Sequence, residues 1–161
     1  MSDILVSGCV SCEIVAEKLV EPGGVLYQNE HWHLGTALGK PAIWRGFLII
    51  KLKRHCEHLA ELTPEEAASL GPVLQSTCAA LTKVLQPAKV YVCSFGDGVR
   101  HVHFWVLPRP VTMRPGMHSV IFQLDLRTML TRWFGIKTWT VSDEEVVRIA
   151  NQVREALRQQ P

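Results

Sequence analysis

The chain has 161 residues, 47% of them apolar, and a formal net charge of +2. That is enough for one sizeable core in a single domain spanning residues 1–161, and the net charge by itself points to no class of partner. No stretch reaches the roughly 20 uninterrupted apolar residues of a membrane span, and the N-terminus lacks a basic region followed by an apolar core and cleavage site, so a cytoplasmic protein without a membrane partner is expected. There are five cysteines, an odd number. In a reducing compartment the pair Cys9-x-x-Cys12 reads as metal ligands more readily than as a disulfide. No Asp or Glu lies between His31 and Cys56, whereas Lys40, Arg45, Lys51, Lys53 and Arg54 do, and such a stretch would welcome a phosphate.

In chain order, Val25 to Asn29 and His31 to Leu34 are short strand candidates, and Gly46 to Lys53 has the continuous apolar character of a buried strand. Coil surrounds Pro41. Thr63-Pro64-Glu65-Glu66 combines a capping hydroxyl, proline at the first helical position and a carboxylate three residues after the cap, which starts a helix running to about Leu85. Lys89 to Phe95 reads as a strand, Gly96-Asp97-Gly98 as a turn, and Arg100 to Leu107 as the returning strand of a hairpin, ended by Pro108. Met113 to Trp139 has no assigned element, yet with Trp133, Phe134 and Trp139 it is too apolar for a free tail and should pack on the domain or a partner. Ser142-Asp143-Glu144-Glu145 opens a last helix with Val146, Ile149, Ala150, Val153 and Leu157 in one stripe. No repeat, low-complexity tract or linker divides the chain.

Side chains alternate along a strand, so in His101-Val102-His103-Phe104-Trp105-Val106-Leu107 the residues His101, His103 and Trp105 share one face. This run, followed by Pro108-Arg109, resembles the motif of the histidine triad (HIT) superfamily. Gly46 to His55, ending Lys53-Arg54-His55, is similar to the strand and basic turn before the family's first long helix, and Leu62-Thr63-Pro64-Glu65-Glu66 to the start of that helix. The similarity covers roughly residues 9 to 110, the motif-bearing core, and leaves 111–161 as an extension matched only by its helix. It implies an α+β domain of the HIT-like fold: a mainly antiparallel sheet of about five strands, a long helix, a C-terminal helix and an N-terminal zinc knuckle. Homodimers are usual in the family.

In zinc-bearing members and the related galactose phosphate uridylyltransferases, the ligands are the cysteine pair, the histidine after the Lys-Arg and the first motif histidine. Here these are Cys9, Cys12, His55 and His101. Two thiolates and two imidazoles fill a tetrahedral Zn²⁺ site and leave no open position, which makes it structural. His58, three residues beyond His55, and the pair His31 and His33 are competing ligands, and Cys56, Cys78 and Cys93 read as core thiols. Residues two apart on a strand lie roughly 7 Å apart, too far for one ion to take both His101 and His103. The resemblance implies that His103 is a nucleophile that forms a covalent nucleotidyl-histidine, its second ring nitrogen donating to a backbone carbonyl. Arg109, Gly96 and Gly98 are candidates to steady phosphate oxygens, and Arg100 a weaker one because it points to the opposite face.

Three positions depart from the family's pattern. The third motif position, histidine or glutamine elsewhere, is Trp105, whose bulk implies a partly filled site and whose indole carries no proton to shuttle. The aspartate that accepts ribose hydroxyls is missing from the segment between His31 and Cys56, and Gly98 replaces a serine near the scissile phosphate. The expected function is therefore a nucleotide hydrolase or nucleotidyl transferase acting on a nucleoside phosphate derivative through His103. The alternative is a catalytically weak or inactive module that binds a nucleotide or another protein. A nucleic-acid partner is disfavoured by the lack of a second Cys-x-x-Cys and of a basic helix, and zinc deaminase chemistry by the lack of a His-x-Glu with Pro-Cys-x-x-Cys.

Overall fold

The computed structural model describes residues 5–38, 44–115, 117–135 and 141–160; Lys40, Pro41 and Trp139 lie outside them. In chain order the elements are α1 (Val10–Val15), β1 (Tyr27–Gln28), β2 (Trp32–Thr36), β3 (Leu48–Leu52), a 3-10 turn (Leu59–Glu61), α2 (Pro64–Leu85), β4 (Lys89–Cys93), β5 (His103–Arg109), α3 (Met117–Phe134) and α4 (Asp143–Arg158). The strands form one antiparallel sheet in the order β1-β2-β3-β5-β4. Among the described residues no helix is long and apolar enough to cross a membrane.

One face of the sheet is the main core. Leu34, Ile50, Phe104 and Val106 pack there with Val73, Ala80 and Leu81 of α2 and with Ile149, Ala150 and Val153 of α4. Both helices begin where their capping chemistry requires. The Thr63 hydroxyl accepts from the Glu66 N–H while the Glu66 carboxylate takes the Thr63 N–H, and the Ser142 hydroxyl accepts from the Glu145 N–H. Pro72 sits inside α2 but on its exposed side.

The other face carries His33, Ile49, Lys51, His103, Trp105 and Leu107. It is covered at one end by α1 and the loop after it, and at the other by Trp44 and by Leu124 of α3, which form a second cluster with Leu107. The apolar segment after Met113 thus contributes a helix that packs on the domain through Leu124, although Phe122, Trp133 and Phe134 remain exposed.

The first four strands lie within two residues of the sequence pattern, whereas β5 departs from it at both ends. β5 begins at His103 rather than Arg100, because 94–102 is a long loop in which Val102 pairs with Cys56 and Leu52 instead of with β4. Nor does Pro108 end it, since Val90 still opposes Pro108 and Lys89 opposes Arg109. The Arg109 carbonyl accepts from Ala88, so the neighbouring Pro108 turns its backbone the other way, towards β3, whose pairing stops at Leu48 opposite Val106. No ladder donor is required of Pro108 there, and its carbonyl accepts the Trp44 indole N–H at 2.9 Å.

Candidate active site and metal centre

Cys9 is the N-cap of α1 and Cys12 lies one turn in, which directs both sulfurs to one side of the helix end. Facing them are His55, from the turn after β3, and His101, two residues before β5. Cys12 Sγ lies 3.4 Å from His55 Nδ1 and 3.6 Å from His101 Nδ1, and Cys9 Sγ 3.5 Å from His101 Nδ1. A tetrahedral zinc with Zn–S about 2.3 Å and Zn–N about 2.1 Å holds its N and S ligands about 3.6 Å apart. The four donors lie within 4.8 Å of one another, so this cluster could hold a metal ion. His101 Nε2–H donates to the Leu52 carbonyl at 2.7 Å, which leaves Nδ1 bare for metal, and burial pushes its pKa down to about 4, so the ring is neutral as a ligand must be. The competing histidines are elsewhere: His33 is bonded to Glu21, His31 lies near Glu30, and His58 caps the 3-10 turn.

His103 stands beside this cluster and apart from it. Its Nδ1–H donates to the His101 carbonyl at 2.6 Å, and a carbonyl can only accept, so Nε2 carries the lone pair. Burial, followed by the charge of Lys51, keeps the imidazole below its ordinary pKa, and hence neutral near pH 7, while the His101 carbonyl pulls the other way. The ring lines a cavity of about 430 Å³, together with Val10, Ile14, Phe47, Phe95, Gly96, Gly98 and Trp105. Trp105 is one of the walls of that space. It meets Phe47 and Phe95 edge to face, with ring centroids 5.2 Å away in each case. The sequence-expected residues His103, Trp105, Gly96 and Gly98 are therefore brought together. Arg109 is not among the lining residues: at the far end of β5 its guanidinium donates to the Met113 carbonyl. Arg100 is exposed and does not line the cavity either.

Two residues here had no site role of their own from sequence: Lys51, which entered as one of five basic residues in a phosphate-friendly stretch, and Glu21. Lys51 lies directly across from His33 on β2 and from His103 on β5, and lines the cavity. Its ammonium reaches Glu21 Oε1 at 2.5 Å, and Glu21 Oε2 lies 2.8 Å from His33 Nε2. All three side chains are buried. Burial lowers the Lys51 pKa and Glu21 opposes that shift. Gly35 makes room for this carboxylate, since a Cβ there would come within 1.8 Å of Glu21 Oε2. A lysine inside an otherwise apolar strand was the available signal for Lys51; Glu21, from a loop, left none.

The HIT domain family model matches residues 19–111, more than half of the chain. The chain belongs to the HIT domain family. Among solved structures of this fold, a Hit-like protein involved in cell-cycle regulation from Bartonella henselae has 13% identity and a TM-score of 0.68, over 96% of this chain and 99% of that one. A Zn-bound histidine triad family protein from Mycobacterium smegmatis has 20% identity and a TM-score of 0.65, over 94% of both chains. A uridylyltransferase has 23% identity and a TM-score of 0.60, over 95% of this HIT chain but 46% of its own length. No curated protein is similar enough to count as a match.

Proposed function

We propose that this HIT protein hydrolyses a nucleoside phosphate derivative, or transfers its nucleotidyl group, through His103, and that Cys9, Cys12, His55 and His101 hold a structural zinc. The supporting observation is the hydrogen bond from His103 Nδ1 to the His101 carbonyl, which leaves Nε2 as a fixed lone pair on a cavity-lining ring. Nε2 attacks phosphorus, the bond to the leaving group breaks, and the leaving group departs with the electron pair. Water then attacks phosphorus, breaks the P–N bond and regenerates the imidazole. Zinc closed by four protein ligands would fix the N-terminal segment and take no part in the chemistry. Gly96 and Gly98 are proposed to approach the phosphate with their backbone, and Trp105 to stack on a flat group of the ligand. The direct test is incubation of the zinc-loaded protein with a labelled dinucleoside polyphosphate and mapping of the adduct. Label on His103 is expected; its absence, with the nucleotide still bound, would favour the binding-module reading that the loss of a third histidine suggests.

Trp105 also predicts a choice of leaving group. An indole gives no proton to a departing amine, whereas a phosphate leaves without one, so anhydrides should be preferred to amidates. Trp105→His restores a proton-carrying ring beside His103. The ratio of phosphoramidate to anhydride turnover, measured with one nucleoside in both substrates, should rise about 10²-fold. A folded, zinc-loaded Trp105→His protein with the parent's ratio would overturn this role.

A further inference from the structure

We infer that Lys51 is the cationic contact for the phosphoryl oxygens of the ligand beside His103, held at that place by Glu21 and His33. This inference rests on reading the cavity as a phosphate site and adds the group that neutralises the anion.

Residues directly opposite one another in an antiparallel sheet point to the same face at the same level, so His33, Lys51 and His103 form one row across β2, β3 and β5. The row ends in the proposed nucleophile. Of the cavity's lining, Ser11, Lys51 and His103 are the buried polar side chains, Asp97 is exposed, and most of the rest is apolar or aromatic. Among the described residues, Lys51 is the sole side chain in that lining with a positive charge.

An ammonium has three N–H donors. One goes to Glu21 Oε1, and among the described residues no second acceptor comes within hydrogen-bond reach of Nζ. Glu21 is engaged at both oxygens, by Lys51 and by His33, so it fixes the ammonium while having little capacity left for a ligand. Two of the three donors on a cavity-lining cation thus remain for an incoming anion. Stability alone does not account for the arrangement, because a buried ion pair is often replaced by apolar side chains at no loss. Gly35, kept without a side chain where Glu21 lies, is part of the same provision.

The test uses the zinc-loaded full chain and calorimetric titration with adenosine 5′-monophosphate, adenosine and phenyl phosphate. Lys51→Met alone would strand the Glu21 carboxylate and risks unfolding. The double variant Lys51→Met with Glu21→Gln removes both charges and should keep the parent's melting temperature and zinc. It is expected to bind the monophosphate about 30-fold more weakly while adenosine affinity is unchanged, the scale of a lost charged hydrogen bond. Lys51→Arg should recover most of the loss. Equal weakening of monophosphate and adenosine, parent-like binding of the monophosphate by the double variant, or a parent that binds neither phosphate would each overturn the assignment. If the parent binds phenyl phosphate through Lys51 but not the monophosphate, the lysine stands and the nucleotide reading falls.

Discussion

Cys12→Ala is expected to reduce the metal content from about one zinc per chain to near none and to lower the melting temperature by about 10 °C or more. Cys12 is the member of the four-residue cluster that touches both imidazoles, at 3.4 and 3.6 Å, and its side chain is almost fully buried. Its loss leaves three donors, one of them on the N-cap of a six-residue helix that is too short to persist without tertiary anchorage. Loss of a metal site belongs to the few changes that cost more than about 4 kcal/mol, and in a chain of this size each kcal/mol is worth about 2–4 °C. Metal analysis and thermal melts of parent and variant decide it. A parent without zinc, or a Cys12→Ala protein that melts with the parent, would refute the structural role.

His103→Ala should abolish turnover, by at least about 10⁴-fold in rate, and abolish the labelled adduct, while zinc content is retained. The separation is geometric: the His103 ring bonds to the His101 carbonyl, whereas the metal cluster uses the His101 side chain. Truncating the ring therefore removes the proposed nucleophile and leaves the four donors in place. Rates and adduct yield on the two proteins, with zinc content as control, give the answer. Turnover that survives would move the chemistry to another imidazole. His33 is the next on that face, although its Nε2 is taken by Glu21.

How much of this was legible in the sequence varied with the range of the interactions. α2 and α4 could be read because caps and apolar stripes are local, and their starts coincide with the Thr63 and Ser142 caps. The Cys-x-x-Cys pair was legible for the same reason. Choosing His55 over His58 was not a local matter: it depended on which imidazole the turn after β3 aims at Cys12, and the family resemblance supplied the answer that the geometry gives. α3 left no such signal, since it shows no regular stripe and Leu124 is buried while Phe122 and Trp133 are exposed. The run of β5 through Pro108 depends on β3 stopping at Leu48, a fact of pairing that no single strand encodes. Glu21 is the clearest case. Twelve residues separate it from His33 and thirty from Lys51, and only the chain's path after α1 makes it the partner of both. The segment from His31 to Cys56 could suggest that a carboxylate was lacking, but not that one entered from outside it.

The short helix α1 has two jobs on its two sides. Cys9 and Cys12 belong to the cluster that could hold a metal ion, while Val10, Ser11 and Ile14 line the cavity beside His103. A wall this short stands only when something pins it, so with zinc on one side and a ligand on the other the two occupancies would be thermodynamically linked through one piece of backbone. Such linkage is reciprocal: whatever factor zinc adds to the affinity for the ligand, the ligand must add to the affinity for zinc. Under metal scarcity a filled cavity would then help the protein retain its ion.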